Sequence, residues 1–159
     1  MGDVLVLGIG NQLMMDDGIG IYLVEELEKR FGESNIRFEI GESDIDYAFE
    51  QIEAADFVLI LDAIYAGKRP GEVSVLPLSG LHESQPLGIS PHNLHLFQML
   101  HQQRETIKGF LIGVEPGEVR FHMGLSDVAA ERWEGIVDEV AETCAALLKQ
   151  EEGRASTSK

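Results

Sequence analysis

The sequence predicts one α/β domain of three layers, a mostly parallel twisted sheet with helices on both faces. Three observations carry this. The short apolar runs "VLVLGIG", "FVLILD" and "GFLIGV" read as strands buried on both faces. Segments with apolar residues at helical spacing lie between strands. The order strand, helix, strand, helix, strand with short connections is the pattern of a parallel sheet covered on both sides.

Taken in order, Val4 to Gly10 is the first strand. From Gly18 onward Ile19, Tyr22, Leu23 and Leu27 recur at helical spacing, Glu25, Glu26 and Glu28 turn outward, and "GES" from Gly32 stops the helix. "IRFEI", Ile36 to Ile40, alternates as a strand. A second helix starts from Asp44 with Ile45, Ala48, Phe49 and Ile52 on one face, and "FVLILD" is the third strand. "RPGEVSVLPL" predicts a turn and a more exposed strand, antiparallel at an edge. Ser90 caps a helix with Pro91 at its first position and Leu94, Phe97 and Leu100 on its buried face. After the buried strand "GFLIGV", a last helix is expected from about Ser126 to Lys149, with Val128, Trp133, Ile136, Val137, Val140, Cys144 and Leu147 inward. Residues 1–150 make the domain, and 151–159, "EEGRASTSK", are expected to be a disordered polar tail.

Bulk composition agrees and excludes some function classes. A chain of 159 residues, 44% hydrophobic and 25% charged, suits one domain with a sizeable core. Twelve basic against 28 acidic residues give a formal charge of −16, which repels nucleic-acid phosphates and anionic membranes. The single cysteine, Cys144, permits no internal disulfide, fits a small core position and points to a reducing compartment. The amino terminus has no basic n-region, its apolar run is too short for a signal peptide or span, and "MGDVLV" lacks the Ser or Thr of a myristoylation signal. A cytoplasmic monomer is expected.

Ligands of open parallel sheets bind beyond the carboxyl ends of the strands. Three residues are delivered there: Asp17 in the turn after the first strand, Asp62 ending the third, and His92 in the first turn of the "SPHNLHLF" helix. A phosphate-binding reading of the glycine-rich turn fails, because "GIGNQL" has leucine where the third glycine of G-x-G-x-x-G belongs, no Lys-Ser or Lys-Thr follows, and two carboxylates repel a pyrophosphate. Two carboxylates and an imidazole instead make a ligand set suited to zinc, nickel, manganese or iron, with positions left for substrate or water. Plainer readings compete: Asp16 or Asp17 as a helix cap, Asp62 as a turn cap, His92 as an exposed bystander. His95, one helical turn from His92, is a lesser rival, and His82, His101 and His122 are expected at the surface. There is no H-E-x-x-H, no G-x-S-x-G and no cysteine placed as a nucleophile, so any hydrolysis must be metal-assisted or carboxylate-assisted.

In order and at fitting separations, "GIGNQLMMDDGIG", "LILDAIYAGKRPGEV", "SPHNLHLF", "IGVEP" and the later "GLS" resemble the hydrogenase maturation endopeptidases, up to about residue 148. The resemblance implies a peptidase that trims the carboxyl-terminal extension from the precursor of a nickel-iron hydrogenase large subunit after nickel insertion. By position it assigns metal binding and catalysis to Asp17, Asp62 and His92, with Asn11 and Asp16 as supporting residues of the first loop. The metal implied is nickel held by the precursor, with another divalent ion such as zinc able to substitute. One departure is that "GESDIDY", Gly41 to Tyr47, stands where many members have a "DGGT"-like turn, which bears on substrate choice. The rival expectations are a non-catalytic metal-sensing chaperone of the same large subunit and, on "GIGN" alone, a nucleotide-binding protein.

Overall fold

Burial of alternate strand residues on opposite faces organises the molecule. The structure, a computed structural model, describes residues 2–32, 34–42, 44–79, 96, 98, 99 and 107–157. Strands β1 (Val4–Ile9), β2 (Ile36–Gly41), β3 (Phe57–Ala63), β4 (Val73–Pro77) and β5 (Gly109–Val114) form a sheet in the order β2-β1-β3-β5-β4. The pairs β1·β2, β1·β3 and β3·β5 are parallel, and β4 runs antiparallel along β5 at the edge, as its more exposed pattern predicts.

Every residue of β1 and β3 is buried. Val4, Val6, Phe57, Leu59 and Leu61 turn to one face, where they pack with α1 (Ile19–Phe31) and the carboxyl-terminal helix. Leu5, Leu7, Ile9, Val58 and Ile60 turn to the other, against Ala48 and Ile52 of α2 (Ile45–Glu53) and against Leu96. These are the three expected layers. Asp44 caps α2, its carboxylate accepting the Tyr47 N–H at 3.0 Å. Of the helix expected from Ser90, Leu96, Gln98 and Met99 are helical, whereas Ser90, Pro91, Leu94, Phe97 and Leu100 lie outside the described residues. Among the described residues no helix is long and apolar enough to cross a membrane.

Two expectations at the carboxyl end are corrected. The single helix from Ser126 is broken into α3 (Asp127–Glu131), capped by Ser126, and α4 (Trp133–Thr157). At the break, Arg132 leaves helical geometry and its guanidinium donates to the Pro70 carbonyl. A continuous helical wheel does not survive such a break, so Val128 is 38% exposed rather than inward, while Ile136, Val137, Val140 and Cys144 are buried as expected. Helix α4 also runs through Glu151 to Thr157, where a disordered tail was expected. Extending a formed helix adds a hydrogen bond per residue without a new nucleation cost, so polar residues prolong it.

Cys144 is 1% exposed, and burial pushes its thiol up to about 12. The native protein is therefore expected to react negligibly with an aromatic disulfide reagent at pH 8 and to release one equivalent on unfolding. Rapid reaction of the native fold would mean that α4 opens from the sheet.

Candidate active site

The first loop is built from backbone packed against backbone. Gly10 has φ 143°, and a Cβ there would stand 2.2 Å from the Asp17 carbonyl oxygen. A Cβ on Gly20 would meet the carbonyl oxygens of Leu61 at 2.1 Å and Ile9 at 2.5 Å. These glycines thus let the start of α1 sit on the ends of β1 and β3. The helix is capped by Gly18 with no side-chain bond, so neither Asp16 nor Asp17 is its cap. The turn that suggested a phosphate loop is shaped by its contact with the strand ends.

The two adjacent aspartates have opposite tasks. Asp16 is fully buried: its carboxylate accepts the Gly117 and Glu118 N–H groups at 2.7 and 3.0 Å, the Ser126 N–H at 2.7 Å and the Ser126 hydroxyl at 2.6 Å. It latches the loop after β5 onto the first loop. The backbone joins in, with Met15 N–H donating to the His122 carbonyl and His122 N–H to the Leu13 carbonyl, both at 2.9 Å. Met15 is held at φ 53°, a left-handed conformation that costs a non-glycine residue about 1–2 kcal/mol and persists because the loop around it is so tied.

Asp17 is half-buried and faces the crevice. Its Oδ1 accepts the Tyr65 hydroxyl at 3.0 Å and its Oδ2 the Asn11 N–H at 3.2 Å. The Asn11 side chain accepts the Leu13 N–H at 2.9 Å and so supports the loop. Asp62 is 1% exposed at the end of β3, with its Oδ1 accepting the Ala63 N–H at 2.8 Å. Gly8 of β1 lies opposite Leu61 of β3, so the adjacent strands finish level, with Asp62 closing β3 and Asp17 in the loop that follows β1 at the same end of the sheet. The Tyr65 phenol registers this. Its pKa is raised by loss of solvent, then by the Asp17 charge and hydrogen bond, and further by the charges of Asp62 and Asp16. Since the unfolded phenol titrates near 10, Tyr65 contributes stability that is complete below about pH 10 and lost as the pH rises toward its folded value. Tyr65→Phe is expected to flatten that alkaline loss, measured by thermal melts at pH 9 and 11; an unchanged difference would contradict the pairing.

His92 lies outside the described residues, as do His82, His95 and His101. Leu96 is buried on the face of the sheet to which Val58 and Ile60 point. His122 is exposed, as expected. Among the described residues no three His, Cys, Asp or Glu side chains are grouped to hold a metal. Three residues escaped sequence reasoning. Tyr65 gave no pattern beyond following Asp62 in "DAIY". Glu115 directly follows "GFLIGV", much as Asp62 closes "FVLILD", a signal of the same kind. Its role differs: it is buried, and its Oε1 accepts the Ala66 and Lys68 N–H groups at 2.9 and 3.0 Å, fixing the segment that carries Tyr65. Ser126 was expected to start a helix, which it does while also binding Asp16.

Comparison with known proteins places this arrangement in context. The profile of the HycI family, described as hydrogenase maturation protease, matches residues 21–143. The hydrogenase 2 maturation protease of Escherichia coli K12 is 30% identical over 153 residues, covering 92% of this chain and 91% of that protein. Among solved structures, the hydrogenase maturating endopeptidase HybD of E. coli superposes with a TM-score of 0.72 at 26% identity, covering 93% of each chain. The [NiFe] hydrogenase maturation protease HycI of Thermococcus kodakarensis gives 0.68 at 25% identity, covering 92% of each.

Proposed function

Because the chain belongs to the hydrogenase maturation protease family and is thus an endopeptidase, we propose that it removes the carboxyl-terminal extension of a nickel-iron hydrogenase large-subunit precursor after nickel insertion. What supports this reading is that Asp17 and Asp62 follow or close adjacent parallel strands at the same end of the sheet, with the Tyr65 hydroxyl donating to Asp17 there. Asp17, Asp62 and His92 are the residues that would contact the nickel, which arrives as part of the substrate. Their donors fit it: ionised carboxylates only accept, and carboxylate with imidazole suits nickel or zinc. A divalent ion there would polarise the scissile carbonyl or acidify a water. Tyr65 and the Asn11 N–H hold Asp17 in orientation, and burial at a strand end holds Asp62. The reading places the protein in the cytoplasm, where its single buried cysteine fits a reducing environment.

The test is the intact mass of nickel-loaded and nickel-free precursor after incubation with the protein. Loss of a short carboxyl-terminal peptide from the loaded form alone is the expected result. No loss from either form would favour the chaperone reading, and equal loss from both would overturn the requirement for inserted nickel.

A further inference from the structure

Nine large hydrophobic side chains are exposed among the described residues, and five of them, Leu13, Val119, Phe121, Met123 and Val128, border one loop. Phe121 and Met123 are the most exposed, at 78% and 63%. The segments are joined physically. His122 bonds through its backbone to Leu13 and Met15, and Val128 lies against Gly117, where an added Cβ would come within 2.2 Å of its side chain. Val119, Phe121 and Met123 alternate with Arg120 and His122, which line a cleft of about 450 Å³ with Met15, Ser126 and Val128. A scattered exposed leucine needs no explanation, but five exposed apolar side chains on and beside one loop do.

We propose that this apolar rim is the surface on which the large-subunit precursor docks, with an apolar face of the precursor covering Phe121 and Met123 while the segment to be cut enters the crevice at Asp17. The inference rests on the proposed function and adds where the partner sits. Two features favour this occupant. The rim is continuous with the site, because the latch at Asp16 ties the loop bearing Phe121 to the residue preceding Asp17. The rim also carries little charge of its own, since Glu118 and Arg120 pair at 2.9 Å and leave only Asp127 beside Val128, whereas the whole chain carries −16. Two copies of so acidic a chain repel each other, which disfavours a second copy as the occupant.

The experiment uses the full chain with Phe121→Ser and Met123→Ser combined, and Val75→Ser, an exposed apolar residue of edge strand β4 outside the rim, as the control. Precursor binding is measured by titration calorimetry, separately from cutting, so that a protein that binds without cutting fails the functional reading and still tests the surface. Binding by the double variant is expected to weaken by about tenfold or more, with a matching rise in KM for processing and wild-type binding by the control. The melting temperature should hold, because both side chains are already in water. Wild-type affinity in the double variant would overturn the proposal. So would sedimentation showing a dimer that the double variant dissociates without loss of precursor binding, since the occupant would then be a second copy.

Discussion

Asp62→Asn is expected to slow precursor processing by about 10²-fold or more while leaving the fold intact. The substitution conserves shape and keeps an oxygen able to accept the Ala63 N–H, so the end of β3 need not move. What it removes is the charge. Asn matches Asp in volume, so the packing around this 1% exposed side chain is expected to persist and the fold to be retained. Charge loss with the fold retained separates a catalytic role from a structural one. The measurement is single-turnover processing followed by mass, beside a thermal melt of the same sample. Full processing by a natively melting variant would remove Asp62 from the site.

Asp16→Ala should instead damage stability. It strips the acceptors from three backbone N–H groups and the Ser126 hydroxyl, all held by one buried carboxylate. The expected loss is about 3–5 kcal/mol, the range for breaking a buried charged network, or a fall in melting temperature on the order of 10 °C for a chain of this size. Asp16→Asn should rescue little, because its amide nitrogen would face donors with another donor. Hydrogen exchange supplies the local check: amides of Gly117, Glu118 and Ser126 should lose protection first. A variant melting like the wild type would show that the loop is held by other contacts.

The strand runs and helix faces were legible because periodic burial is a local pattern. "VLVLGIG" and "FVLILD" became central strands, and Ala48 and Ile52 became the buried face of their helix. The same logic failed at Val128, because a helical wheel assumes one axis and Arg132 divides the segment into two. It also could not rank like signals. Asp62 and Glu115 both close apolar strands, yet one stands in the crevice with Asp17 and the other binds the N–H groups of Ala66 and Lys68.

Residue order by itself determined the layers, the parallel pairing with its antiparallel edge, the family and the placing of Asp17 and Asp62 at strand ends, since each depends on neighbours along the chain. Tertiary structure alone decided which aspartate of the adjacent pair is buried as a latch and which faces the crevice. It also brought Tyr65 to Asp17 and gathered Leu13, Phe121, Met123 and Val128 around one loop. Those outcomes depend on hydrogen bonds such as Asp16 to Ser126, between residues 110 positions apart, and no local periodicity records a contact at that separation.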